Sequence, residues 1–172
     1  MSPGSDYVAP SSNFFFGAHS SNASPLGFLP SRVLVDKLLA HYWQAVHIIV
    51  YTVHRPSFER YYQVFWNNVA IQLEPRPPFQ ALLFAMLLSS IISMPEQKVL
   101  SEFGVDKQIL VDQFKQGAES ALARANFLQA TKLETLQAFV TYLVSVVLSR
   151  LVLQACFPFP RDSRLDSSSK QM

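Results

Sequence analysis

The stretch YTVHRPSFERYYQVFW, residues 51–66, decides how this chain is read. A run rich in aliphatic and aromatic residues stops at His-Arg-Pro-Ser, and a segment dense in rings follows at once. Two readings compete. In one, His54 activates Ser57 as a nucleophile and the tetrapeptide is a reactive site. In the other it is a corner between helices. Pro56 pushes Arg55 into an extended conformation and suits the first turn of a new helix. Ser57 then sits in that turn, and Phe58 anchors the corner in the core. Nucleophilic catalysis also needs a third group and an oxyanion-stabilising element. Neither is recognisable around the tetrapeptide, so the corner is the reading adopted. From Pro56 onward, Phe58, Tyr61, Tyr62, Phe65 and Trp66 repeat at three and four, which predicts a short helix over residues 56–67 with an aromatic face. Rings at helical spacing without interleaved basic residues read as core rather than as a platform for a flat ligand or unstacked bases.

Upstream, Leu34, Leu38 and Tyr42 recur at i, i+4 and i+8, with Val35, Leu39, Trp43 and Val46 on the neighbouring ridge. This predicts an amphipathic helix, with Ser31 as an N-cap whose hydroxyl accepts a first-turn amide. At HIIVYTV, residues 47–53, β-branched residues crowd together, and an extended piece crossing the core is expected. Downstream of a proline-rich loop, a helix over 78–93 is apolar nearly all round, the mark of a central buried helix. A polar connection with room for a helical turn follows. Next comes a helix over 106–126, with Ile109, Phe114, Ala118 and Leu122 as its inward candidates. The last helix is expected over 132–153, with Leu133, Leu136, Val140 and Leu143 on its inward stripe. There is no alternating strand pattern and no repeat, so the fold class is all-α with about five helices.

With 172 residues, of which 49% are apolar and 15% charged, the chain suits one domain that buries a large surface. Residues 1–28 are rich in Ser, Pro, Gly and Asn and residues 158–172 are polar, so 1–28 and 154–172 are expected to be disordered tails around a helical domain at 29–153. Net charge is +2 with the basic residues dispersed, which gives no electrostatic footprint for nucleic acid. Cys156 is the single cysteine, so neither a disulfide within the chain nor a cysteine-based zinc site can form. His19, His41, His47 and His54 are scattered without metal-ligand spacing, and the five glycines never cluster into a phosphate loop. Asn22 opens a glycosylation sequon, but the N-terminus has no signal-peptide pattern. Two apolar stretches, 77–95 and 136–157, invite a membrane reading. Prolines bracket the first and Arg150 interrupts the second, so both read as buried helices.

Together these residues carry a resemblance. LPSRVLVDKLLAHYWQAVHIIVYTVHRPSFERYYQVFW and then PPFQALLFAMLLSSI resemble the middle homology region of fungal-specific transcription factors. The shared features are a Leu-Pro start at Leu29 and Pro30, an aromatic-to-His step at 42–47, and the corner formed by His54, Arg55, Pro56, Ser57 and Phe58. Trp66 closes the aromatic helix, and an apolar helix at 79–91 follows. The later ARANFLQATKLETLQAFVTYLV is similar too, so the likeness covers about residues 29–145. It implies an all-helical, non-catalytic regulatory region acting in the nucleus. Its partners would be the transcription machinery or other copies of itself, met through apolar helices. It also implies DNA binding and zinc at family level, through a six-cysteine cluster that this sequence does not contain. The stretch from 154 fits no family helix, so the family region is expected to be incomplete here. The alternative is a small helical interaction protein or a membrane-associated one.

Overall fold

The computed structural model describes residues 24–129 and 132–156, save the side chains at 129 and 150–156. Six α-helices are present and no strand, among the described residues: α1 (Arg32–His41), α2 (Arg55–Ala70), α3 (Pro77–Ser93), α4 (Glu96–Phe103), α5 (Lys107–Arg124) and α6 (Leu133–Cys156). The all-α reading is therefore correct, with one helix more than expected. The extra helix is α4, which grows from the polar connection and ends at Gly104, whose φ of 67° is left-handed backbone suited to glycine.

Helix α3 is the axis of the molecule. Every residue from 78 to 92 is buried. Helices α5 and α6 flank it, and α1 packs on it from another side. The approach of α5 is close: a Cβ on Gly117 would lie 2.6 Å from the Phe84 ring. Polar atoms along α3 are satisfied locally. Ser90 donates to the Leu38 carbonyl at 2.8 Å, and the Lys107 ammonium donates to the Ile92 and Met94 carbonyls at 2.9 and 2.6 Å, closing the C-terminal end of α3. Helix α2 joins through large rings, with Phe58 and Phe65 at 5.3 and 5.7 Å from Phe79. Among the described residues no single helix is long and apolar enough to cross a membrane. Helices α3 and α4 pass that test only as a pair, and they are bent by 116° at their junction.

Several expectations need correction. Ser31 occupies the N-cap of α1, but its side chain makes no capping bond; its carbonyl accepts instead from Leu34 and Val35. Residues 47–53 do not cross the core. The chain continues from α1 through a π-turn at Tyr42–Val46 and then runs over the surface, leaving Ile48, Ile49 and Tyr51 75–82% exposed. Only Val53 of the late part of this run is buried. In α5 the inward residue is Leu110, whereas Ile109 is 59% exposed.

The largest correction concerns α6. Leu133, Leu136, Val140 and Leu143 face outward, while Thr135, Ala138, Thr141, Tyr142 and Ser145 are buried. Small residues let α6 come close to α3, where the Ser89 and Ser145 hydroxyls meet. The expected tails lie largely outside the described residues. Of the described part, Pro25–Phe28 forms a 3-10 turn packed on α5 with Pro25 buried, and α6 continues beyond residue 153 to Cys156.

Candidate functional site

The corner at His54 builds one wall of a cleft. His54 is extended, with φ −79° and ψ 108°, and it caps α2 through its carbonyl, which accepts from Phe58 at 3.1 Å. The ring Nδ1 of His54 lies 2.9 Å from the Ser57 hydroxyl oxygen. The two side chains of the rejected dyad thus do meet, because residues three apart are neighbours across the first helical turn. Among the described residues no carboxylate bonds His54, and Glu59 is engaged by Arg55 at 2.8 Å. The contact fixes the start of α2 and lacks the third member a nucleophilic site requires.

The other motif residues divide between core and surface. Phe58 is 3% exposed and sits among the rings of Trp43, Phe79 and Tyr62, at 5.6, 5.3 and 5.7 Å. Pro56 is exposed. Arg55 lies 5.4 Å over Trp43. Trp66 stands at the other end of α2, beneath Arg32 at 5.7 Å, and has no part in the cleft. The aromatic face of α2 is therefore core for Phe58 and Phe65, and half-buried for Tyr62 and Trp66. The Tyr62 hydroxyl donates to Asp36, and burial followed by that bond holds its pKa far above the usual phenol value.

The cleft encloses about 440 Å³ between the beginnings of α2, α3 and α6. Phe58, Phe79, Leu82 and Val53 close its floor. Its rim carries His54, Ser57 and Tyr61 from α2 and its cap, Arg76 from the start of α3, and Lys132, Glu134 and Gln137 from the start of α6. Arg76 donates to Glu134 at 3.1 Å and lies 5.3 Å over the Tyr61 ring, so one guanidinium ties all three helices together. Gln137 donates to the Thr52 carbonyl at 2.7 Å, and Thr141 meets the Thr52 hydroxyl at 3.2 Å, which anchors the surface run to α6. Arg76, Lys132 and Glu134 carry no local motif. What the sequence shows is a charged residue beside the start of each of two helices, with nothing to say that those starts converge.

Three relatives match most of the chain. An uncharacterized transcriptional regulatory protein of Schizosaccharomyces pombe is 32% identical over 73% of the chain. The aurofusarin cluster transcription factor of Gibberella zeae is 36% identical over 68%, and a C6 finger domain transcription factor of Aspergillus niger is 30% identical over 75%. The chain is a homologue of fungal C6 transcription factors. It corresponds to 20%, 17% and 17% of the length of these three relatives. No protein-family model matches it, and no solved structure does. The C6 name denotes a zinc cluster, and this chain's residues do not fit one. It has one cysteine, and no group of three or more His, Cys, Asp or Glu converges among the described residues.

Proposed function

We propose that the chain is a regulatory, non-catalytic segment of the fungal C6 transcription factor type, acting in the nucleus, with residues 29–153 as its helical unit. The observation that carries this reading is the match of regulators from three fungi to between 68% and 75% of the chain. The geometry of the corner agrees, since a His–Ser contact without an orienting acid supports a structural role. The motif residues His54 and Ser57 would set the start of α2, and Phe58 would seat it. Tethering the whole chain to a heterologous DNA-binding module in a reporter strain tests the function. A reporter output at least about twofold above or below that of the module alone is expected, and an unchanged output would overturn the reading.

Self-association is the partner reading that the geometry favours. On α6 the outward residues Leu133, Leu136, Val140, Leu143 and Val147 are 44–69% exposed and follow one another at intervals of three, four, three and four. That is the spacing of a coiled-coil seam, which two helices bury against each other. No charged residue falls between Glu134 and Arg150. The proposed occupant is a second copy of this chain. Sedimentation velocity is expected to give a dimer that Leu136→Lys and Leu143→Lys together convert to monomer. A monomeric parent chain would exclude this partner. Recovery of the chain in carbonate-washed membranes would instead favour the membrane-associated alternative.

A further inference from the structure

We propose that the cleft beside the His54 corner binds a small organic acid with a flat apolar body, independently of whether the chain acts in transcription. Three observations combine. The first is size: about 440 Å³ lies within the roughly 300–1,000 Å³ of small-molecule sites. The second is the apolar lining, where the Tyr61 ring, 38% exposed, stands over the nearly buried edges of Phe58, Phe79 and Leu82 and offers a face suited to a planar group. The third is charge. The lining carries Arg76 and Lys132 against Glu134, which leaves one positive charge in excess with histidine neutral.

The charges are not equivalent. Glu134 already engages Arg76, so that pair is matched. Lys132 has no carboxylate partner among the described residues. An incoming carboxylate would pair with the Lys132 ammonium at the rim and lay its apolar body against the Tyr61 ring. The hydroxyl of Ser57 and the imidazole of His54, held 2.9 Å apart, present a further donor there. A neutral molecule of the same shape would fill the floor but leave the lysine unmatched, so charge is what distinguishes the ligand class.

The test uses the full chain with 2-naphthoate as the probe and 2-naphthamide as its neutral counterpart, titrated by isothermal calorimetry. The acid is expected to bind about threefold or more tightly than the amide, the size of an ion pair with an exposed lysine. Lys132→Glu should weaken the acid by at least that factor and leave the amide nearly unchanged. Ser57→Trp, which places a large side chain in the mouth, should abolish both. Leu100→Lys, at a 60% exposed position of α4, is the control and should alter neither. Equal binding of acid and amide would overturn the proposal, as would no binding at millimolar probe. So would weakening by Leu100→Lys but not by Lys132→Glu, since the probe would then bind away from the cleft. If Ser57→Trp fails to fold by circular dichroism, the exposed Lys132→Glu variant decides alone.

Discussion

Phe58 shows how one residue converts a sequence motif into a fixed corner. Proline sets the backbone, but the ring among Trp43, Tyr62 and Phe79 holds α2 against the core. Phe58→Ala is expected to cost about 3–5 kcal/mol in urea unfolding, as for other buried phenylalanines. Gly117 is the opposite case, where an added atom is the problem. Its Cβ would press on Phe84, which is itself fully buried, so Gly117→Ala should destabilise by about 1–3 kcal/mol. Two histidines give the fold a pH dependence. Burial lowers the pKa of His41, aided by Lys98 and opposed by Glu102, and burial with Arg55 nearby lowers that of His47. Below about pH 6.5 the unfolded chain takes up protons that these native side chains resist. Stability from this source is complete above that pH and is lost as the pH falls toward their lowered native values. Thermal midpoints at pH 7.5 and 5.0 should differ less in a His41→Gln, His47→Gln double variant than in the parent.

At the scale of the element, α6 is where the hydrophobic pattern and the packing part company. Apolar residues occur on several of its faces, so periodicity alone cannot point its stripe at the core. Close approach to α3 selects the face lined by Ala138, Thr141 and Ser145 and turns the bulky row outward. Most polar members of the inner face are compatible with burial because they find partners: Ser145 donates to the Thr141 carbonyl at 2.7 Å, and Tyr142 to Glu119 at 2.6 Å, whereas the Thr135 hydroxyl is buried without one. Ala138→Leu should therefore cost about 1–3 kcal/mol, since the added atoms meet a packed surface. Leu143→Lys should stay within about 0.5 kcal/mol in the monomer, measured at a concentration below any association. If Leu143→Lys proved the more damaging of the two, the orientation of α6 would be wrong. Helix α2 was more legible, because Pro56 lies in its first turn, although Arg55, expected to be extended, is its first residue and His54 holds the extended position instead. Its length was underread, as it extends to Ala70 rather than 67.

For the molecule as a whole, the absence of a thiolate cluster in this chain and its dispersed charge lead to one expectation about DNA. Structural zinc of the C6 kind needs several thiolates, and Cys156 alone cannot supply them. Phosphate attraction grows with the number of cations that make contact together, and few can here. The chain is expected to show no sequence-specific retention of a labelled duplex at physiological salt and no stoichiometric zinc; either finding would reveal a binding surface beyond the corner and cleft described above. The sequence by itself determined the all-α class, the central buried helix, the corner at Pro56 and the kinship with fungal regulators. Each of these depends on local backbone chemistry, on composition or on a long shared pattern. Only the tertiary structure decided which face of α6 is buried, that residues 47–52 run over the surface, and that Arg76, Glu134, Lys132 and His54 gather at one cleft. Those outcomes depend on how closely helices can approach and where their ends converge, and contacts between distant segments leave no periodic trace in the chain.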